Sequence, residues 1–235
     1  QLLFDPSYVT ALKKKINEAN PLPITMGEEK YKAGIRDVIY YMDYGISDSV
    51  ELKDLFEVLV SDNQADQVPM QDGSKRNILP TKKFRLEVNP EEVIETGTLD
   101  KRYRHQIEKS MEWTYEKDYV TRSDLAVMDI LAHNDWKRPV YFAVSMSNDS
   151  YFGLHRYLYL EGFAYRLLPL KRLQGDQRDK SQTVNSEAFY SNFERFKLDS
   201  FNRTEYLDPE SPRVSYQTWT LMNTLAAGLV AEGNV

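Results

Sequence analysis

The strongest constraint on the fold lies between Thr121 and Leu170. There a helix signal runs into a strand signal across the corner His133-Asn134-Asp135-Trp136-Lys137-Arg138-Pro139. Thr121 followed by Asp124 has capping-box spacing, in which each residue's side chain satisfies the other's backbone N–H. Val127, Ile130 and Leu131 recur at helical spacing, giving a helix over 122–133. Pro139 stops it, because proline has no N–H and holds its own φ. Val140 to Val144 is an unbroken apolar run, expected to form a strand covered on both faces. Glu161 to Pro169 supplies a second strand over 163–168. The stretch reads as one αβ unit with a neighbouring strand.

The flanking sequence fills in the architecture. Asp5-Pro6 opens a helix over 6–19, with Asp as N-cap and Pro at the first helical position. Asp37 to Met42 reads as a strand. A helix over 49–60, capped by Asp48 with Glu51, carries Leu52, Leu55, Phe56, Leu59 and Val60 on one face. Ser61 to Asn77 reads as a polar loop turning at Asp72-Gly73. Residues 84–88 alternate as a strand with one wet face. Glu91, Glu92 and Glu95 form the solvated side of a short helix or turn. Residues 107–119 stay open: Trp113-Thr114-Tyr115 favours strand, the flanking charges favour helix. Residues 174–186 are a hydrophilic loop, and 187–197 a short helix burying Phe189, Phe193 and Phe196. The longest helix spans 214–232, with Thr218, Leu221, Met222, Leu225, Leu229 and Val230 on its apolar face and Gly233 as its stop. It resembles the first helix of a tetratricopeptide-like repeat. The expected fold is α/β or α+β: a mixed β-sheet flanked by helices, occupying 1–212, with residues 213–235 beginning a helical repeat region. The chain opens on Gln1 rather than Met, so both ends are expected to be cuts in a longer protein.

Composition narrows the function classes. Apolar residues make up 41 % and charged residues 28 %, the balance of a globular chain. The net charge of −6 argues against general nucleic-acid binding, which needs a positive surface to displace counterions. No apolar stretch approaches the ~18 residues that a membrane span needs. Without cysteine there are no disulfides or thiolate metal sites.

Catalytic motifs are lacking: there is no Gly-x-Ser-x-Gly elbow, Walker loop or Gly-x-Gly-x-x-Gly, and no catalytic residue is assigned. Asp129 and His133 sit four apart on the expected helix. With Asp135 they sketch a metal site, but the spacing is unspecific; a histidine near a helix C-terminus is the plainer reading, and no metal or cofactor is expected. The better binding candidate is Asn134, Asp135, Trp136 and Arg138, joined by Glu161 and Tyr165. Trp and Arg beside Asp and Asn could hold a sugar by ring stacking and paired hydrogen bonds. Against this stands a structural reading, given more weight, in which Trp136 plugs the core and Arg138 pairs with a carboxylate such as Glu161. Among the 16 tyrosines, Tyr151, Tyr157 and Tyr159 could belong to a contact surface. Lys82-Lys83-Arg85 and Lys171-Arg172 could face anionic lipid, although solvated faces explain them as well.

Several segments taken together carry a family resemblance. They are Lys30-Tyr31 through Arg36-Asp37-Val38, Val50-Glu51-Leu52-Lys53, Leu79-Pro80-Thr81-Lys82-Lys83-Phe84, Asp124-Leu125 through Ala143, and Glu161-Gly162-Phe163-Ala164-Tyr165-Arg166-Leu167. The chain resembles the C-terminal soluble region of a family of large bacterial multi-spanning membrane proteins related to protein O-mannosyltransferases. The resemblance implies a parent with a membrane-embedded region using a lipid-linked sugar, then this module, then tetratricopeptide-like helices. The catalytic acids of such a parent would lie in its membrane region, so none is carried over. The implied role is a non-catalytic extracytoplasmic domain on the periplasmic face of a bacterial inner membrane. It would support acceptor binding or the organisation of sugar transfer to proteins. Its implied partners are its own transmembrane region, the helical repeats, and acceptor proteins or glycan. A free-standing carbohydrate-active enzyme and a protein-interaction scaffold are the alternatives.

Overall fold

The computed structural model describes residues 22–31, 36–171, 184–195 and 211–231. The helix expected over 6–19 lies outside them, as do Phe196 and Gly233 and most of the loop expected over 174–186. The chain divides into two compact units, 1–138 and 139–235. The boundary at Arg138–Pro139 cuts the pattern that reads in sequence as one αβ unit.

The first unit contains β1 (Val38–Tyr40), β2 (Val50–Glu51), α1 (Leu52–Val60), β3 (Val68–Pro69), β4 (Lys75–Arg76), β5 (Lys83–Glu87), α2 (Pro90–Glu95), β6 (Ser110–Thr114), β7 (Tyr119–Thr121) and α3 (Arg122–His133). β2, β5 and β6 form a small mixed sheet, with β2 parallel and β6 antiparallel to β5. β1 pairs antiparallel with β7, and β3 with β4. The aromatic run that left 107–119 open becomes strand because its alternation has a buried face. Met111 and Trp113 point inward, and Trp113 stands opposite Phe84 in the ladder. The Phe84 ring stacks on Tyr115 at 5.5 Å and meets Trp113 edge-on at 5.9 Å, the two geometries that aromatic quadrupoles favour.

α1 buries Leu52, Leu55, Phe56 and Leu59, the face expected of it, and packs on α3. Its start differs from expectation. Glu51 stands at the N-cap without a side-chain cap bond, and Asp48 is not the cap. The Glu51 carboxylate instead reaches Arg85 at 3.4 Å and the Glu87 amide at 3.3 Å, since Val50–Glu51 is drawn into pairing with β5. The polar stretch after α1 is also more ordered than a plain loop. Asp72-Gly73 turns a hairpin between β3 and β4, with Gly73 at φ 79°, a left-handed conformation that glycine adopts without steric cost.

α3 starts as its sequence dictates. The Thr121 hydroxyl accepts from the Asp124 amide, and the Asp124 carboxylate accepts from the Thr121 amide. Further along, Asp129 is wholly buried. Its Oδ2 accepts from the backbone amides of Thr25 (2.8 Å) and Met26 (2.9 Å), and its Oδ1 from the Thr25 hydroxyl at 2.8 Å. His133 Nδ1 lies 2.9 Å from the same carboxylate and 3.0 Å from the Asp129 carbonyl. Both partners are acceptors, so Nδ1 is the donor.

The second unit holds β8 (Tyr141–Ala143), β9 (Leu158–Leu160), β10 (Ala164–Leu167), α4 (Ser186–Phe193) and α5 (Ser211–Ala231). The strands form one antiparallel sheet in the order β8-β10-β9. The expected neighbour pair is therefore present, as β8 beside β10. β8 is not covered on both faces, however. It is an edge strand of alternating exposure, with Phe142 buried and Tyr141 about half exposed. β9, too short to show a period in sequence, buries Leu158 and Leu160. Leu160, Val184, Phe189 and Leu225 make a core cluster with Phe193, Leu221 and Leu229 packed against it. α5 contributes Leu225, and Gly228 lets its backbone come close: a Cβ there would stand 3.3 Å from Val184 Cβ. Val230, expected on the apolar face, is exposed, as are Tyr216 and Trp219.

The Asp129 clamp yields a first prediction. Asp129→Ala strands the buried Met26 amide and loosens Thr25, so unfolding in urea is expected to show a loss of about 3 kcal/mol. Hydrogen-exchange protection at Met26 should fall with it. A loss below about 1 kcal/mol with protection intact would mean that segment 22–26 is held by other contacts.

Candidate functional site

The sequence-derived candidates fall into two groups, one in each unit. Asn134, Asp135, Trp136 and Arg138 follow α3. The Lys137 amide donates to the Asn134 carbonyl at 2.9 Å, closing a four-residue turn. Its central residues, Asp135 and Trp136, have φ of 46° and 56°. Positive φ at both centres is the signature of a type I′ turn. Aspartate tolerates that conformation; a tryptophan there is an outlier costing about 1–2 kcal/mol. The surroundings hold it. Trp136 is only 8 % exposed, and its carbonyl accepts from the buried Thr98 hydroxyl at 3.2 Å. Asn134 Nδ2 donates to the Arg138 carbonyl at 2.7 Å, which fixes the amide's orientation and leaves its buried Oδ1 without a hydrogen-bond partner. Asp135 is paired at the surface with Lys137 at 2.8 Å. The indole is thus packed inside, with little face left for a ligand.

Glu161 and Tyr165 belong to the second unit. Glu161 is buried and accepts from Asn185 Nδ2 at 2.7 Å and from the Tyr141 hydroxyl at 3.3 Å, with Arg166 at 3.8 Å. Its carbonyl accepts from Asn192 Nδ2 at 3.1 Å. This network ties α4 to the sheet. Tyr165 meets Tyr151 edge-on at 5.6 Å, and burial raises its phenol pKa. Of the metal sketch, Asp129 and His133 do meet, but the Asp129 oxygens are occupied by Thr25 and Met26. Among the described residues no group of three or more potential metal ligands lies together.

A cleft of about 550 Å³ in the first unit is a feature that sequence reasoning missed. It is lined by Arg36 and Asp37, by β1, by Asp62 and Gln67 after α1, and by Lys75, Arg76 and Asn77. Its size lies within the range of small-molecule sites, about 300–1,000 Å³. It exists because two chain segments pair and then part. Leu79 is bridged in parallel to Tyr41, with bonds from Leu79 N to Tyr40 O (2.9 Å) and Met42 N to Leu79 O (3.0 Å). Two residues earlier, Asn77 turns away: its Nδ2 donates to the Val58 and Ser61 carbonyls at the end of α1.

Arg36 is the buried charged member of the lining. Its Nε donates to the Leu59 carbonyl (3.3 Å) and its Nη2 to the Ser61 carbonyl (2.9 Å), so it caps the C-terminus of α1, where cations are favoured. Nη2 also pairs with Asp62 at 2.6 Å, while Nη1 is buried without a partner. Lys30 joins Asp62 at 3.2 Å. The Arg36 hydrogen bond holds the Asp62 carboxyl below its ordinary value of 3.8. Asp37 pairs with Arg122, and Arg76 with Asp72 at 3.1 Å. Ile39 faces the core, whereas Val38 and Tyr40 are exposed together on the outer face of β1.

A family model described as TMEM260-associated domain 2 matches residues 1–188. The chain belongs to this family. The TMEM260-associated match takes in all of the first unit, hence the cleft and the turn at 134–138, and reaches Glu161 and Tyr165 in the second. No curated protein and no solved structure matches the chain. Among the described residues of this TMEM260-associated domain, no helix is long and apolar enough to cross a membrane.

Two substitutions test these placements. Trp136→Ala is expected to cost about 3 kcal/mol, the cost of emptying a buried aromatic site; a change near zero in thermal unfolding would return the indole to the surface. For Asp62, a depressed folded pKa means stability that is present above the unfolded value and lost as pH falls through the folded one. The stability difference between wild type and Asp62→Asn at neutral pH should therefore shrink below pH 3.8. A difference independent of pH would show that the ion pair contributes nothing.

Proposed function

We propose that this chain is a non-catalytic extracytoplasmic domain of a membrane protein that transfers sugar from a lipid carrier to proteins. Its work is to hold the acceptor or to organise the transfer. The observation that carries this reading is membership of the TMEM260-associated family over residues 1–188; TMEM260 is a protein O-mannosyltransferase. The cleft is consistent with a binding rather than a catalytic role, because its carboxylates are committed. Asp62 is ion-paired and held in its charged form, and Asp37 is paired with Arg122. General acid catalysis at neutral pH needs a carboxyl raised toward that pH, the opposite direction to Asp62. In this reading the domain lies on the periplasmic face of a bacterial inner membrane. The parent supplies the lipid-linked donor, the transmembrane region and the helical repeats that follow α5.

A second reading, an interaction scaffold, is favoured by one observation. Tyr216 and Trp219 are both exposed on α5, with ring centroids 6.2 Å apart. Paired exposed aromatics are what protein interfaces are enriched in.

The test is made on the parent protein in membranes, with residues 1–235 intact or deleted in frame and with insertion of the deletion verified. Loss of glycosylation on the cell's exported proteins is expected. Unchanged glycosylation would overturn the proposal and bring the scaffold reading forward.

A further inference from the structure

We infer that the cleft beside β1 is a binding site for a neutral hexose, held by Asp62, Gln67, Lys75 and Asn77 around the open ring face of Tyr40. The inference deepens the reading above by naming the ligand class of one site, and it rests on that reading only for its biological setting.

Charge is the first argument. Most of the cleft's charged groups are engaged in ion pairs: Arg36 and Lys30 share Asp62, Arg122 holds Asp37, and Arg76 holds Asp72. Lys75 alone has no ion-pair partner among the described residues. A phosphate or sulfate site would need several uncommitted cations converging, as anion recognition relies on charge-assisted and bidentate donors. A neutral ligand does not.

The mixture of donors and acceptors is the second argument. Each hydroxyl of a sugar both donates and accepts, so its site must offer both at close quarters. Asn77 has spent both amide hydrogens on the end of α1 and keeps its oxygen as an acceptor. Asp62, some 70 % exposed despite its ion pairs, adds carboxylate acceptors. Gln67 and Lys75 supply donors, and Arg36, a residue 5 % exposed and bonded to the last carbonyls of α1, holds the Asp62 carboxylate in place.

The aromatic supplies the third. Tyr40 is 62 % exposed and stands on the outer face of β1, so its ring is open to solvent at the cleft. An aromatic face carries partial negative charge and attracts weakly positive edges, which the axial C–H groups of a hexose provide.

The experiment uses the full 235-residue chain. Methyl α-mannopyranoside, methyl α-glucopyranoside, methyl β-galactopyranoside and inorganic phosphate are titrated separately, with binding read by ligand-observed NMR. The cleft is read by amide shifts of residues 36–40 and 75–77. Saturable binding of at least one glycoside is expected, with shifts at those residues. Tyr40→Ala and Gln67→Ala are each expected to weaken it about tenfold with unchanged thermal unfolding, since neither side chain is needed for the core. No saturable glycoside binding, binding indifferent to both substitutions, or phosphate binding in place of sugar would each overturn the inference. Its failure is separable from failure of the proposed function. A cleft that binds no sugar leaves the in-frame deletion result standing, and a silent deletion leaves the titration standing.

Discussion

The first unit depends on one buried carboxylate. Asp129 lies in the middle of α3 with no exposure, and a charge there would be very costly if unpaired. It is tolerated because four donors converge on it: two backbone amides and a hydroxyl from Thr25–Met26, and His133 one turn along the helix. The arrangement fixes more than itself. It ties a segment some hundred residues away in sequence to α3, and it sets the ring of His133, which meets Phe56 of α1 edge-on at 5.8 Å. α1 and α3 are thereby locked at one level. Before α3, Thr121 ends β7 and caps the helix in the same residue, so the position of β1, which pairs with β7, follows from the position of α3. Both the cleft and the turn at 134–138 hang from this helix.

The parts of the fold that the sequence made legible are those with local causes. The capping box at Thr121 and Asp124, the apolar face of α1 and the stop before Pro139 each depend on residues within a few positions of one another, and each is present. What could not be read depends on pairing at a distance. β2 and β7 have two and three residues, too few to show a period, and exist because partners stand beside them. The same cause moved the start of α1: pairing of Val50–Glu51 with β5 outweighed the capping potential of Asp48. β8 failed the other way. Its apolar run promised burial on both faces, but an edge strand has only one face to cover.

The binding candidates show the same division. The turn at 134–138 stands out in sequence because its composition and its place between helix and proline are local facts. Which way Trp136 points is not local; its burial, and the bond from the Thr98 hydroxyl to its carbonyl, give the strained backbone there a structural cause. The cleft had no linear signature. Arg36, Asp62, Gln67 and Asn77 are scattered polar residues in stretches that look like solvated loops. They converge only because β1 pairs with β7 about eighty positions away, while residue 79 bridges β1 on its other side and residue 77 departs from it. The nearest thing to a signal was Tyr40, an aromatic at an outward position of a strand whose neighbour Ile39 faces in.

Arg36 serves two ends with one side chain. Capping the last carbonyls of α1 takes Nε and Nη2, which immobilises the guanidinium plane before any ligand arrives. Side chains recruited to a ligand from solvent lose rotamer freedom on binding, at about 0.5–1.5 kcal/mol each. Asn77 has already lost it in folding, because its amide is pinned to the same helix end that Arg36 caps. A neutral polyol gains little from any single hydrogen bond, because each replaces one with water at nearly equal strength. Weak contacts of that kind produce affinity only if the groups making them are held in advance. The end of α1 is therefore the element that sets the geometry of the cleft, and loosening it would weaken binding without removing any group that touches the ligand.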